Sequence, residues 1–93
     1  MKVKNISGTS DKTCKCESWL SHWERFSGRN SFLCTVLGCF SAATLGAHVQ
    51  KSGSLDQKHY IVPFCSSHNS STSVIELERD TMLVSANVAE TCG

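Results

Sequence analysis

Two close pairs, Cys34-x4-Cys39 and Cys65-x2-His68, constrain what this chain can fold into more than any other feature of its sequence. Zinc takes four sulfur or imidazole ligands in a tetrahedron. Each pair closes a small loop at little entropic cost, and the ion then joins the two pairs across a long one. A fold built on this site must carry the chain away after Cys39 and return it at Cys65. The spacing fits a structural Cys3His zinc site made by Cys34, Cys39, Cys65 and His68, with a disulfide framework as the competing reading of the same thiols.

Size makes such a staple useful. A chain of 93 residues holds one domain, and a domain of this size buries only somewhat over ~60% of its unfolded surface. Six cysteines and four histidines supply the donors. A hydrophobic share of 40% with 18% charged residues describes a globular chain and excludes a disordered one. The opening MKVKN runs into polar SGTS, not an apolar signal core. The expected compartment is therefore the cytoplasm, where thiols meet metals more often than each other. A disulfide-stapled secreted domain is the remaining alternative. No apolar run approaches the ~20 residues of a membrane span, so no membrane is expected among the partners. Nine Lys+Arg against eight Asp+Glu leave a formal charge of +1, too little to coat nucleic acid by charge alone. A monomer without an organic cofactor is expected.

Residues 1–13 lack an apolar period and read as a flexible N-terminal tail that adds at most one edge strand, with residues 14–93 as a single domain. From Cys16, the run CESWLSHWERF places Trp19, Leu20, Trp23 and Phe26 on one helical face, and Gly28 is a plausible stop. An N-terminal amphipathic helix over 16–27 follows, with both tryptophans expected against the zinc core. Residues 32–40 form a knuckle in which Gly38 can take a positive φ. Segments 41–50 and 59–64 are β-favouring and joined by KSGSLDQK, so they read as a hairpin, with Pro63 at an edge or strand exit. CSSHNSS opens a short helix, and VIELE and TMLVSANV form a possible second hairpin. The fold class is α+β, a small zinc-stabilised domain. Knuckle, hairpin, then helix is the treble-clef order.

Over about residues 32–72 the sequence resembles the HNH nucleases with their ββα-metal core. Cys34 and Cys39 stand in the knuckle, Gly46-Ala47-His48-Val49 in the first hairpin strand, and Ile61-Val62-Pro63-Phe64-Cys65-Ser66-Ser67-His68-Asn69 runs into the helix. The resemblance implies that His48 is a general base for hydrolysis of DNA and that Asn69 helps hold a catalytic Mg or Mn ion. The chain departs from the family in having Ala47 where an acidic residue often precedes the base. Neither His59 nor Tyr60 supplies the family's middle asparagine, and SSTSV lacks phosphate-binding Lys or Arg. These departures favour a degenerate, non-catalytic zinc module that binds nucleic acid or protein over an HNH-type endonuclease.

Phosphodiester attack needs a base near neutral pKa and a divalent cation to offset developing charge. A hard cation wants oxygen ligands, so Asn69 and an acid such as Asp56 or Glu78 would have to converge with His48. Against this stand two plainer readings of His48, a core histidine bonded to backbone and an additional zinc ligand. A second ligand cluster consists of Cys14, Cys16, Cys92 and His22, which would tie both ends of the chain to the core around a second zinc. The alternatives there are a disulfide from Cys92 to Cys14 or Cys16, and reduced thiols without a role.

Overall fold

The computed structural model describes residues 1–6, 16, 18–71 and 73–87. The elements are β1 (Lys2–Asn5), α1 (Trp19–Ser27), β2 (Leu45–Lys51), β3 (His59–Phe64), α2 (Ser66–Asn69), β4 (Val74–Glu76) and β5 (Val84–Ser85). The five strands form one sheet in the order β4-β1-β2-β3-β5, with every pair antiparallel. The architecture is α+β.

The β2–β3 hairpin is the centre of this sheet. Its register pairs Leu45 with Phe64, Ala47 with Val62 and Val49 with Tyr60 on one face, and Gly46 with Pro63 and His48 with Ile61 on the other. Pro63 is tolerated because β5 pairs β3 only at Tyr60 and Ile61, so no ladder partner on that side asks for its missing N–H.

Two expectations are corrected here. Lys2–Asn5, expected to add at most an edge strand, form β1 inside the sheet between β2 and β4. Val3, fully buried, pairs with Lys51 on one side and Ile75 on the other. A four-residue strand with one apolar side chain has no periodicity to detect, and its stability comes from two neighbours distant in sequence. The expected second hairpin also does not form. β4 pairs β1 and β5 pairs β3, at opposite edges of the sheet. The connecting segment crosses under α1, where Trp23 Nε1 donates to the Met82 carbonyl at 2.8 Å and Arg29 Nη1 to the Asp80 carbonyl at 2.6 Å.

Alternation along the strands divides the interior into two layers. On one face Val3, Ala47, Val49, Val62, Phe64, Ile75 and Leu77 form the main core together with Cys34, Val36 and Cys65. On the other, Trp23 packs with Ile61 and Val84, flanked by Trp19 and Ala86. The tryptophans were expected against the metal core. Instead α1 covers the opposite face of the sheet.

The sequence explains how α1 gets there. Ser18 caps its start, the side chain accepting from Ser21 N at 3.0 Å, and Gly28 caps its end in the left-handed conformation. Its buried residues are His22 and Trp23, with Trp19 half-buried beside them, whereas Phe26, expected on the same stripe, is 39% exposed. At the near end the helix backbone lies almost on β2. A Cβ at Gly46 would stand 2.5 Å from the Trp19 carbonyl carbon and 2.7 Å from the Leu20 nitrogen. Backbone cannot move aside as a flexible side chain does, so Gly46→Ala is expected to destabilise the fold by at least the ~1–3 kcal/mol of ordinary overpacking. The check is a lower urea midpoint with an unchanged slope.

Candidate metal centre

Residues 32–42 fold back on themselves. Leu33 bridges Ala42, Cys34 N donates to the Ser41 carbonyl at 3.0 Å, and Ala43 N donates to the Phe32 carbonyl at 3.0 Å. Gly38 turns the chain with φ +78°, and Cys39 N donates to the Val36 carbonyl at 2.9 Å. This knuckle is pinned from both sides. Val36 bridges Leu77 just beyond β4, and Leu37 N donates to the Glu76 carbonyl at 2.9 Å. Thr35 sends both its N–H and its hydroxyl to the Pro63 carbonyl, at 3.0 and 2.8 Å. Pro63 lies two residues before Cys65, so this contact sets the knuckle beside the second ligand pair.

Cys65 occupies the cap position of α2 in extended conformation, and the single turn of α2 brings His68 back over it. The ligand atoms of Cys34, Cys39, Cys65 and His68 all lie within 4.8 Å of one another. His68 Nδ1 stands 3.2 Å from Cys65 Sγ and 3.6 Å from Cys34 Sγ. A tetrahedron with Zn–S near 2.3 Å and Zn–N near 2.0 Å has edges of roughly 3.5–3.8 Å, so these separations suit a zinc-sized ion. All three cysteines are free thiols. Cys34 and Cys65 are buried, Cys39 is half-buried, and the ring of His68 lies edge-on to Phe64 at 6.5 Å. Three sulfurs and one imidazole, with no carboxylate among them, select a soft or borderline ion such as zinc over Mg or Ca.

The metal-free electrostatics are uneven. Burial pushes the Cys34 thiol up to about 11. A hydrogen bond from the Ser41 backbone holds Cys39 below the usual thiol range. Cys39 is thus a readier thiolate than Cys34, and binding a cation would require Cys34 to give up its proton.

The residues proposed for catalysis lie differently. His48 is buried at 6% exposure on the sheet face that carries α1, its ring edge-on to Trp19 at 4.5 Å. The metal cluster belongs with Phe64, Val62 and Ala47 on the other face. Asn69 ends α2, and its backbone carbonyl accepts from the Asn5 side chain. Asp56 sits in the β2–β3 loop, accepting from Tyr60 Oη at 2.6 Å and Lys58 N at 2.9 Å and pairing with Lys51 Nζ at 3.4 Å. The Tyr60 hydroxyl first, then the Lys58 N–H, keep its carboxyl below the usual range. Glu78 accepts from Gly38 N at 3.3 Å beside the knuckle. Among the described residues, Cys34, Cys39, Cys65 and His68 are the one group of three or more such donors that converges.

Of the second cluster, Cys14 and Cys92 lie outside the described residues. Cys16 and His22 are near each other, with Sγ and Nδ1 3.8 Å apart. His22 is fully buried, and its Nε2 lies 2.9 Å from the Ser85 carbonyl.

Thr35 and Asn5 were not singled out by their sequence surroundings, yet they brace the centre. Thr35 ties the knuckle to β3, and Asn5 ties β1 to the end of α2. An isolated Thr or Asn in a polar stretch carries no local signal for such a role. No protein-family model matches the chain, and comparison with curated proteins and with solved structures finds no significant match.

Proposed function

We propose that this chain is a structural-zinc module of the treble-clef, HNH-like kind that works by binding a partner and not by catalysis. The observation that carries the reading is the convergence of Cys34, Cys39, Cys65 and His68 within 4.8 Å. The order of parts supports it: a knuckle, the β2–β3 hairpin, and α2 starting at the third ligand. The direct test is metal analysis of the purified chain. Zinc is expected, and Cys65→Ser should lose one equivalent.

A protein is the partner class with support. Phe32, Leu37 and Phe40, within nine residues of one another on the knuckle segment, are 75%, 56% and 83% exposed, and several large apolar side chains left exposed on one short segment favour a protein partner. The near-neutral charge of +1 gives DNA little to hold.

The endonuclease reading would use His48 as base. A base must reach the attacking water, and His48 is covered by Trp19 on the face opposite the metal cluster. Plasmid nicking with Mg or Mn is therefore expected to stay at background in the zinc-loaded protein. Cleavage that His48→Ala abolishes at native zinc content would overturn the non-catalytic reading.

A further inference from the structure

The two ligand pairs of the Cys3His cluster come from different parts of the chain, so the gap between them is set by what joins the knuckle to the end of β3. Thr35, directly after Cys34, makes a direct tie. Its backbone N–H and its hydroxyl both donate to the Pro63 carbonyl, at 3.0 and 2.8 Å. A carbonyl oxygen has two lone pairs, and Thr35 supplies a donor for each. One bond would leave the knuckle free to pivot about that oxygen, and two resist it. The Thr35 carbonyl is committed as well, accepting from Glu78 N at 2.9 Å.

The other end of the tie is firm. Pro63 is fully buried and paired with Gly46 of β2, and its ring fixes φ. Cys65 follows two residues later, where its carbonyl accepts from Asn69 N at 3.0 Å, and the Asn69 carbonyl accepts from the Asn5 side chain. Across the gap, His68 Nδ1 stands 3.6 Å from Cys34 Sγ, within the roughly 3.5–3.8 Å edge of a tetrahedral zinc site.

Resting on the zinc reading above, we propose that Thr35 is a positioning residue of the Cys3His centre: its paired hydrogen bonds to the Pro63 carbonyl hold the two ligand pairs at a zinc-sized gap and make the centre discriminate against a larger soft ion such as cadmium. Cadmium shares the preference of zinc for thiolate and imidazole, so donor type alone does not separate the two ions. Size does, provided the pairs cannot move apart. Thr35→Val keeps the shape and the backbone N–H and removes only the hydroxyl bond.

The test uses the full chain, with zinc and cadmium each competed against a chelator of known affinity. Thr35→Val is expected to lower zinc affinity on the order of 2- to 12-fold, the worth of one net hydrogen bond made as the site closes. Cadmium affinity is expected to fall less, so the zinc-to-cadmium ratio drops, and Thr35→Ser should restore both. Unchanged zinc affinity in Thr35→Val, or equal losses for the two ions as general destabilisation gives, overturns the proposal and leaves the zinc reading standing. A wild type that binds no zinc, or a Cys65→Ser variant that binds it undiminished, overturns the zinc reading and this proposal with it. If Thr35→Val does not fold, hydrogen exchange in the wild type decides. The Thr35 amide is expected to exchange faster in the cadmium form than in the zinc form, and equal rates overturn the proposal.

Discussion

Removing the ion from the Cys3His centre is expected to unfold the knuckle and the start of α2 and to carry much of the main core with them. A domain of this length has a net stability of roughly 5–14 kcal/mol at ordinary values per residue. Apparent binding energies of structural zinc are on the order of 10 kcal/mol or more, so losing the ion removes most of that margin. The geometry makes the loss cooperative. Cys34, Val36 and Cys65 are themselves core residues packed with Phe64, Val62 and Leu77, so the ligands cannot loosen without opening the interior. Thermal melts of Cys65→Ser, which spares any other metal, should show a collapse of the transition, and a native melt in that variant would contradict the assignment. Acidification should act in the same direction, because protons compete for thiolate and imidazole ligands. The raised Cys34 value does not cause this acid lability. In the metal-free fold that thiol is neutral at pH 7, and its contribution would fade only as pH rises from the ordinary thiol value of 9.0 towards about 11.

Trp23→Ala is expected to cost ~3–5 kcal/mol, the usual range for truncating a large buried aromatic. Trp23 is 4% exposed and fills the layer between α1 and the sheet with Ile61 and Val84. Truncation also leaves the Met82 carbonyl without its indole donor. At roughly 4–8 °C per kcal/mol the melting temperature should fall by more than 10 °C. The informative companion measurement is zinc at the Cys3His centre, which should stay unchanged in the folded variant because that centre lies across the sheet. Loss of that zinc along with stability would show that the two layers are coupled more tightly than their separate cores imply. Trp23→Phe keeps most of the packed area and should recover more than half of the loss.

The proposed partner-binding role would place the functional surface beside the Cys3His cluster. The exposed Phe32, Leu37 and Phe40 belong to the same short segment that supplies Cys34 and Cys39. Whatever they contact, their arrangement depends on the knuckle that carries two of the four clustered donors.

Several features of this molecule were legible from residue order alone, and for one reason: they are local. The ligand pairs announce themselves because two donors a few residues apart can share one ion only through a tight turn, and Gly38 is present for that turn. The hairpin from 45 to 64 shows in two short β-favouring segments flanking a Ser-Gly signal, and α1 shows in the spacing of Trp19, Trp23 and Phe26. What tertiary structure alone decided was which surfaces meet. Residues 2–5 carry a single apolar side chain, and they become an inner strand because β2 and β4 offer hydrogen bonds on both sides. Val74–Glu76 and Val84–Ser85 look like partners in sequence, yet one completes the sheet beside β1 and the other beside β3, at opposite edges. The helix stripe fits any apolar surface. At Gly46 the helix backbone comes so close to β2 that a Cβ would clash with Trp19 and Leu20, and that strand's other face is committed to the core that holds Cys34 and Cys65.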